Sequence, residues 1–126
     1  MWFASVWGIL IVLMNREETE GPFTRLNTGQ WKLLPVLDVG GLDRTTLENL
    51  TTIFDAFKNI TFKNIHEQFN KDDGNYDNNR LEFDVKFLKA LEPTVDEKKV
   101  RNDLLSLYER IKVSFDSWIG QDYQFA

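Results

Sequence analysis

A chain of 126 residues with 42% hydrophobic and 13% aromatic side chains fits one domain with a real though modest core, and is neither disordered nor collagen-like. It has no cysteine and a net charge of −5. Disulfide staples and thiolate metal sites are therefore excluded, a reducing, cytoplasmic setting is consistent, and a strongly nucleic-acid-coating protein is disfavoured while a local basic face stays open.

The chain begins with Trp2–Met14, thirteen residues without a charge. That is short of the roughly 20 apolar residues a bilayer requires, and no basic segment precedes it as in a secretory signal. No membrane partner is expected. Its length favours a helix. Trp2, Val6, Trp7 and Leu10, with their apolar neighbours, would surround the axis of such a helix, so a second covering surface is needed. In isolation, self-association as a two-fold dimer would supply one.

A charged turn leads into Gly21–Asp38, bounded by Pro22 and Pro35, neither of which suits a continuous helix. Phe23, Arg25 and Leu26 suit a short extended segment, and Asn27-Thr28-Gly29 supplies turn chemistry. Thr28 is placed to cap one helical turn through Gln30, Trp31 and Lys32. This stretch is a pivot between the N-terminal run and a helical remainder. The expected division is residues 1–40, apolar helix plus pivot, and 41–126, a helical bundle. The fold class expected is mainly α, a small bundle with an apolar N-terminal helix and a short extended segment.

After Val39-Gly40-Gly41, a flexible joint, Asp43 is an N-cap for a helix to about Lys58, with Thr45 and Glu48 offering an alternative capping box. Leu47, Leu50, Phe54 and Phe57, with Ile53 beside them, form its apolar stripe. A shorter helix over 61–70 would turn Phe62, Ile65 and Phe69 inward. Lys71–Asn79, KDDGNYDNN, is a loop. A helix from about Arg80 carries Leu81, Val85, Leu88 and Leu91 on one face until Pro93. Thr94-x-x-Glu97 has the form of a capping box for the last helix, to about Ile119-Gly120. Its inward face is Val100, Leu104, Leu107, Ile111, Phe115 and Trp118.

Groups that carry chemistry are few. His66 is the sole histidine and reads as a boundary residue of the packing. Asp73, Asn75, Asp77, Asn79 and Asp84 fall at calcium-loop positions, but Asn78 stands where that loop needs glycine; a solvated loop is the plainer reading. Arg80 and Asp84 make an i,i+4 pair, worth only a few tenths of a kcal/mol if exposed. On the pivot, Arg25, Asn27, Thr28, Gln30 and Lys32 gather cationic and amide groups suited to phosphates and adenine edges. Ordinary turn residues on a solvated surface explain the same pattern.

Leu26-Asn27-Thr28-Gly29, Lys32-Leu33-Leu34-Pro35-Val36, Ile53-Phe54-Asp55, Arg80 with Asp84, and Leu107-Tyr108 occur in that order along the chain. This order of short motifs resembles the C-terminal region of N6-adenine DNA methyltransferases of restriction-modification systems. The family's catalytic signature, Asn or Asp before Pro-Pro and an aromatic residue, is absent, as is its glycine-rich cofactor loop. The resemblance therefore implies a non-catalytic segment that takes part in DNA target recognition or braces the recognition domain. S-adenosylmethionine would be bound by a catalytic domain or subunit of the parent enzyme, and this chain alone would be inactive. A stand-alone helical interaction or dimerisation module is the alternative.

Overall fold

A computed structural model of the chain describes residues 1–15, 32, 34–65 and 67–125. They are mainly helical, with four α-helices and no β-strand among the described residues. The helices are α1 (Val6–Asn15), α2 (Arg44–Phe57), α3 (Asn78–Leu91) and α4 (Glu97–Phe125). Short 3-10 turns occur at Trp2–Ala4, Val39–Gly41 and Glu67–Phe69. Two compact units divide the chain: Met1–Asp38 with Val113–Ala126, and Val39–Lys112. The last turns of α4 thus belong with the N-terminal segment, which the sequence division at 40/41 does not anticipate.

In the first unit the apolar run is helical but broken. Ser5 is extended, at φ −73° and ψ 157°, and it separates the 3-10 turn from α1. Its hydroxyl donates to the Trp2 carbonyl at 2.6 Å and accepts from the Gly8 amide at 3.2 Å. It thereby satisfies one donor at the helix start while fully buried. Gly8 is required by close approach. A Cβ there would lie 2.6 Å from Phe3 Cα and 2.7 Å from the Trp2 carbonyl carbon, so the 3-10 turn folds against α1 over a bare backbone. Among the described residues of this unit, Val6, Ile9, Leu34 and Phe115 are the buried apolar side chains. The Trp2 indole donates to the Pro35 carbonyl at 3.1 Å, holding the start of the run to the exit of the pivot.

In the second unit Asp43 caps α2 as expected, accepting from the Thr46 amide at 2.7 Å. The buried stripe is Leu50, Ile53 and Phe57. Leu47 (38% exposed) and Phe54 (50%) lie outside it, which corrects the expected stripe: spacing alone admitted two overlapping faces, and packing on α3 selected the one through Ile53. The expected helix over 61–70 does not form. Thr61–Asn64 is irregular, and only the 3-10 turn at 67–69 is helical in type. Here the Asn64 side chain accepts from the Glu67 amide at 3.2 Å, and the Gln68 side chain donates to the Lys63 carbonyl at 2.7 Å. Side chains that bond the local backbone in this way compete with a helix.

Asp77 caps α3, accepting from the amides of Asn79 (2.8 Å) and Arg80 (3.3 Å). The buried face of α3 is Arg80, Phe83, Asp84, Val85, Phe87 and Ala90, while Leu81, Leu88 and Leu91 are only half-buried. This also corrects the leucine-based expectation, because aromatic and ion-paired side chains occupy the interior in place of leucine. Helix α4 is capped by Asp96, which accepts from Lys98 and Lys99 amides at 3.0 and 3.4 Å, not by the expected Thr94 box. It continues past Gly120 to Phe125. Leu104, Tyr108, Ile111 and Phe115 are buried on it, with Val100 and Leu107 half-buried; the Trp118 side chain lies outside the described set. α3 and α4 run antiparallel: Arg80 and Asp84 meet Tyr108, Glu82 meets Arg101, and Lys89 meets Glu97.

Replacing Gly8 with alanine forces the 3-10 turn away from α1. Overpacking of this kind costs about 1–3 kcal/mol, and a lowered urea midpoint for Gly8→Ala is the expected outcome.

Candidate functional site

Among the described residues, polar and charged groups gather in a buried cluster centred on Arg80. The Asp77 cap fixes the start of α3, and one turn separates Arg80 from Asp84, so both side chains enter the interior of the second unit. Arg80 is 1% exposed and Asp84 0%. The guanidinium donates through Nε to Asp84 Oδ2 at 3.0 Å and through Nη2 to Oδ1 at 2.8 Å, a two-point fork. Its Nη1 donates to Gln68 Oε1 at 3.0 Å. Phe62 and Phe83 lie against the cation, with ring centroids 5.5 and 5.4 Å from Cζ.

From α4, the Tyr108 hydroxyl makes a short hydrogen bond to Asp84 Oδ2 and reaches the Arg80 carbonyl at 3.5 Å. Burial, and then the Asp84 charge, push the Tyr108 pKa far above that of an ordinary phenol. The hydroxyl therefore stays protonated and acts as a donor. Phe69 and Tyr76 pack on Tyr108 edge to face, at 5.5 and 5.6 Å. This arrangement neutralises and orients one buried charge pair.

A second ionic cluster lies nearer the surface. Arg101 on α4 donates to Glu82 on α3 at 2.6 Å and to Glu97 at 2.9 Å, and Lys89 reaches Glu97 at 3.0 Å. Hydrogen bonds from Arg101 are the first cause lowering the pKa of both Glu82 and Glu97, and the two carboxylates raise that of Arg101.

Beside the buried cluster, the turn at 72–75 and α4 enclose an open cleft of about 350 Å³. Asp73 and Gly74 both have positive φ, 49° and 80°, and Asp72 and Asn75 exchange backbone hydrogen bonds at 2.7 and 2.9 Å across them. Such a two-residue reversal favours Asp-Gly. Tyr76, Lys71, Asn102, Ser106 and Glu109 line the cleft.

The expected DNA-contacting set is only partly described. Lys32 is helical in conformation and exposed; Arg25, Asn27, Thr28 and Gln30 lie outside the described residues, as does His66. Of the expected self-association set, Val6 is fully buried, whereas Trp2, Trp7 and Leu10 are half-buried. The calcium-loop positions serve other ends: Asp77 is the helix cap and Asp84 binds Arg80. Among the described residues no group of three or more His, Asp or Glu is placed to hold a metal ion. No described helix is long and apolar enough to cross a membrane. Sequence reading missed the reach of Tyr108, Gln68 and the aromatic pair to Arg80. The Arg80–Asp84 spacing pointed to a pair on this helix but not to its burial.

Removing one partner from a buried ion pair costs about 3–5 kcal/mol, so Asp84→Ala is expected to destabilise the protein by that amount in chemical denaturation. Loss of the exposed Arg44–Glu48 pair, 3.0 Å apart, costs at most a few tenths. Glu82 and Glu97 have folded-state pKa values below their usual 4.5. Their contribution is present above about pH 4.5 and is lost as pH falls through the lower, folded values. A pH series of melting temperatures should therefore fall less steeply on the acid side in Arg101→Met than in the wild type.

No protein-family model, curated protein or solved structure matches this chain.

Proposed function

We propose that the chain is a non-catalytic segment of an N6-adenine DNA modification methyltransferase, contributing to DNA target recognition or bracing the recognition domain against the catalytic part. The observation that supports this reading is the meeting of residues from two of its motifs. Arg80 with Asp84, and Tyr108 of the Leu107-Tyr108 pair, converge in one buried cluster. Ile53, from a third motif, is in the core of α2. These residues serve architecture, as suits a segment that positions other parts. The exposed Lys32 offers one cation for phosphate on the pivot. S-adenosylmethionine and the methyl-transfer chemistry belong, in this reading, to a separate catalytic domain or subunit.

A helical self-association module is the second reading, favoured by the open side of the N-terminal segment. Met14 is 82% exposed, Phe3 is exposed, and Trp2, Trp7 and Leu10 are half-exposed.

Fluorescence anisotropy with duplex DNA across a salt series, combined with sedimentation velocity, separates the two. The first reading expects affinity to fall as salt rises, with the slope reduced by about one for each of Arg25→Ala and Lys32→Ala. It also expects a tagged chain to co-purify from its own cells with a protein carrying the Pro-Pro-aromatic catalytic signature. Absence of both results overturns it. A dimer indifferent to DNA, dissociated by Trp7→Glu with Leu10→Glu, establishes the second.

A further inference from the structure

The cleft between the 72–75 turn and α4 has a charge arrangement that its neighbours leave unused. Lys71 stands on one wall, its ammonium 5.2 Å from the centre of the Tyr76 ring. Glu109 stands on α4, near enough to raise the Tyr76 pKa, after burial, which is the larger cause. Both line the same cavity, yet they form no ion pair with each other or with any other described residue. Elsewhere on α3 and α4 opposite charges at the surface do pair, as at Arg101–Glu82 and Lys89–Glu97. Asn102 and Ser106, one helical turn apart on α4, line the same cleft, and their side chains make no hydrogen bond to another described residue.

Rigidity is supplied from behind. The Tyr76 ring rests against Tyr108 at 5.6 Å, and Tyr108 is bonded to Asp84. The aromatic wall thus rests on a side chain tied into the buried Arg80–Asp84 cluster. A positive and a negative group lining one cleft together with an amide, a hydroxyl and an aromatic face complement a ligand that carries both charges itself. A purely anionic ligand would meet Glu109, and a purely cationic one Lys71. A volume of about 350 Å³ lies at the lower end of small-molecule sites.

We propose that this cleft binds a small zwitterion of the α-amino-acid type, with its carboxylate on Lys71, its ammonium on Glu109 and its side chain against Tyr76. The proposal stands independently of the methyltransferase reading.

The test uses the full chain labelled with nitrogen-15 and the proteinogenic amino acids added one at a time at millimolar concentration. At least one is expected to shift the backbone amide signals of Asn102 and Ser106 saturably. The N-acetyl form of that amino acid, which lacks the ammonium, and its methyl ester, which lacks the carboxylate, are expected to bind at least about tenfold more weakly, the scale of one charged hydrogen bond. Lys71→Met and Glu109→Gln, both at exposed positions, should weaken binding similarly with circular dichroism unchanged. Should no amino acid give a saturable shift, or should binding survive the loss of either ligand charge, the proposal is overturned.

Discussion

A buried guanidinium constrains the second unit more than any apolar contact in it. An arginine taken out of water must find hydrogen-bond acceptors and a counter-charge, or the fold bears the full desolvation cost. Arg80 meets that demand with groups from three parts of the chain: Asp84 on its own helix, Gln68 from the 3-10 turn, and Tyr108 on α4 through Asp84. The pair does not have to add net stability to be decisive, since apolar residues of similar volume often do as well. What it adds is register. Sliding α4 by one turn along α3 would leave Asp84 without its phenolic donor.

The same demand explains the segment between α2 and α3. A helix over 61–70 would direct Phe62, Ile65 and Phe69 along one stripe and pair only the backbone groups of its middle, leaving those of its two ends without helical partners. The observed chain does something else. Phe62 lies against both the Arg80 cation and Phe83, with ring centroids of the two phenylalanines 6.0 Å apart. Phe69 is fully buried against Tyr108. Gln68 spends its amide nitrogen on the Lys63 carbonyl and its oxygen on Arg80, so one side chain closes the turn and completes the guanidinium shell. Asn64 closes the next bond. Helical spacing was present in the sequence, but the polar residues between the aromatics had better local and tertiary partners.

This contrast marks how much was legible. Helix positions were readable wherever a cap preceded a periodic run: Asp43 before α2 is the plain case, and Pro93 bounds α3 because its ring cannot continue a helix. Which face turned inward was less readable. Leu47 and Phe54 matched the period of α2 as well as Ile53 did, and only the partner helix distinguishes them. On α3 the eye follows leucine, whereas the interior holds Phe83, Phe87 and an ion pair. Burial of Arg80 could not be inferred from its spacing to Asp84, because exposed helices carry the same i,i+4 pattern, as Arg44–Glu48 does here at 3.0 Å. The candidate cleft was invisible for a related reason: Lys71 and Glu109 are far apart in sequence, and it is the Asp73-Gly74 reversal that sets one wall opposite the other.

The two ionic clusters on α3 divide the work by depth. Asp84 and Glu82 are two residues apart, so they leave the helix on different sides, yet both end on α4. The inner contact is buried, anchored to a hydroxyl that stays protonated near neutral pH, and screened far less than a surface pair. The outer one, Arg101 with Glu82 and Glu97, is partly solvated and weakens as acid or salt is added. Acid should therefore loosen the outer seam between α3 and α4 while Tyr108 continues to hold the inner one. Tyr76 packs on Tyr108 from the cleft side. The wall of the cleft is consequently fastened to the contact that persists, and a ligand there would meet a preformed surface rather than have to order one.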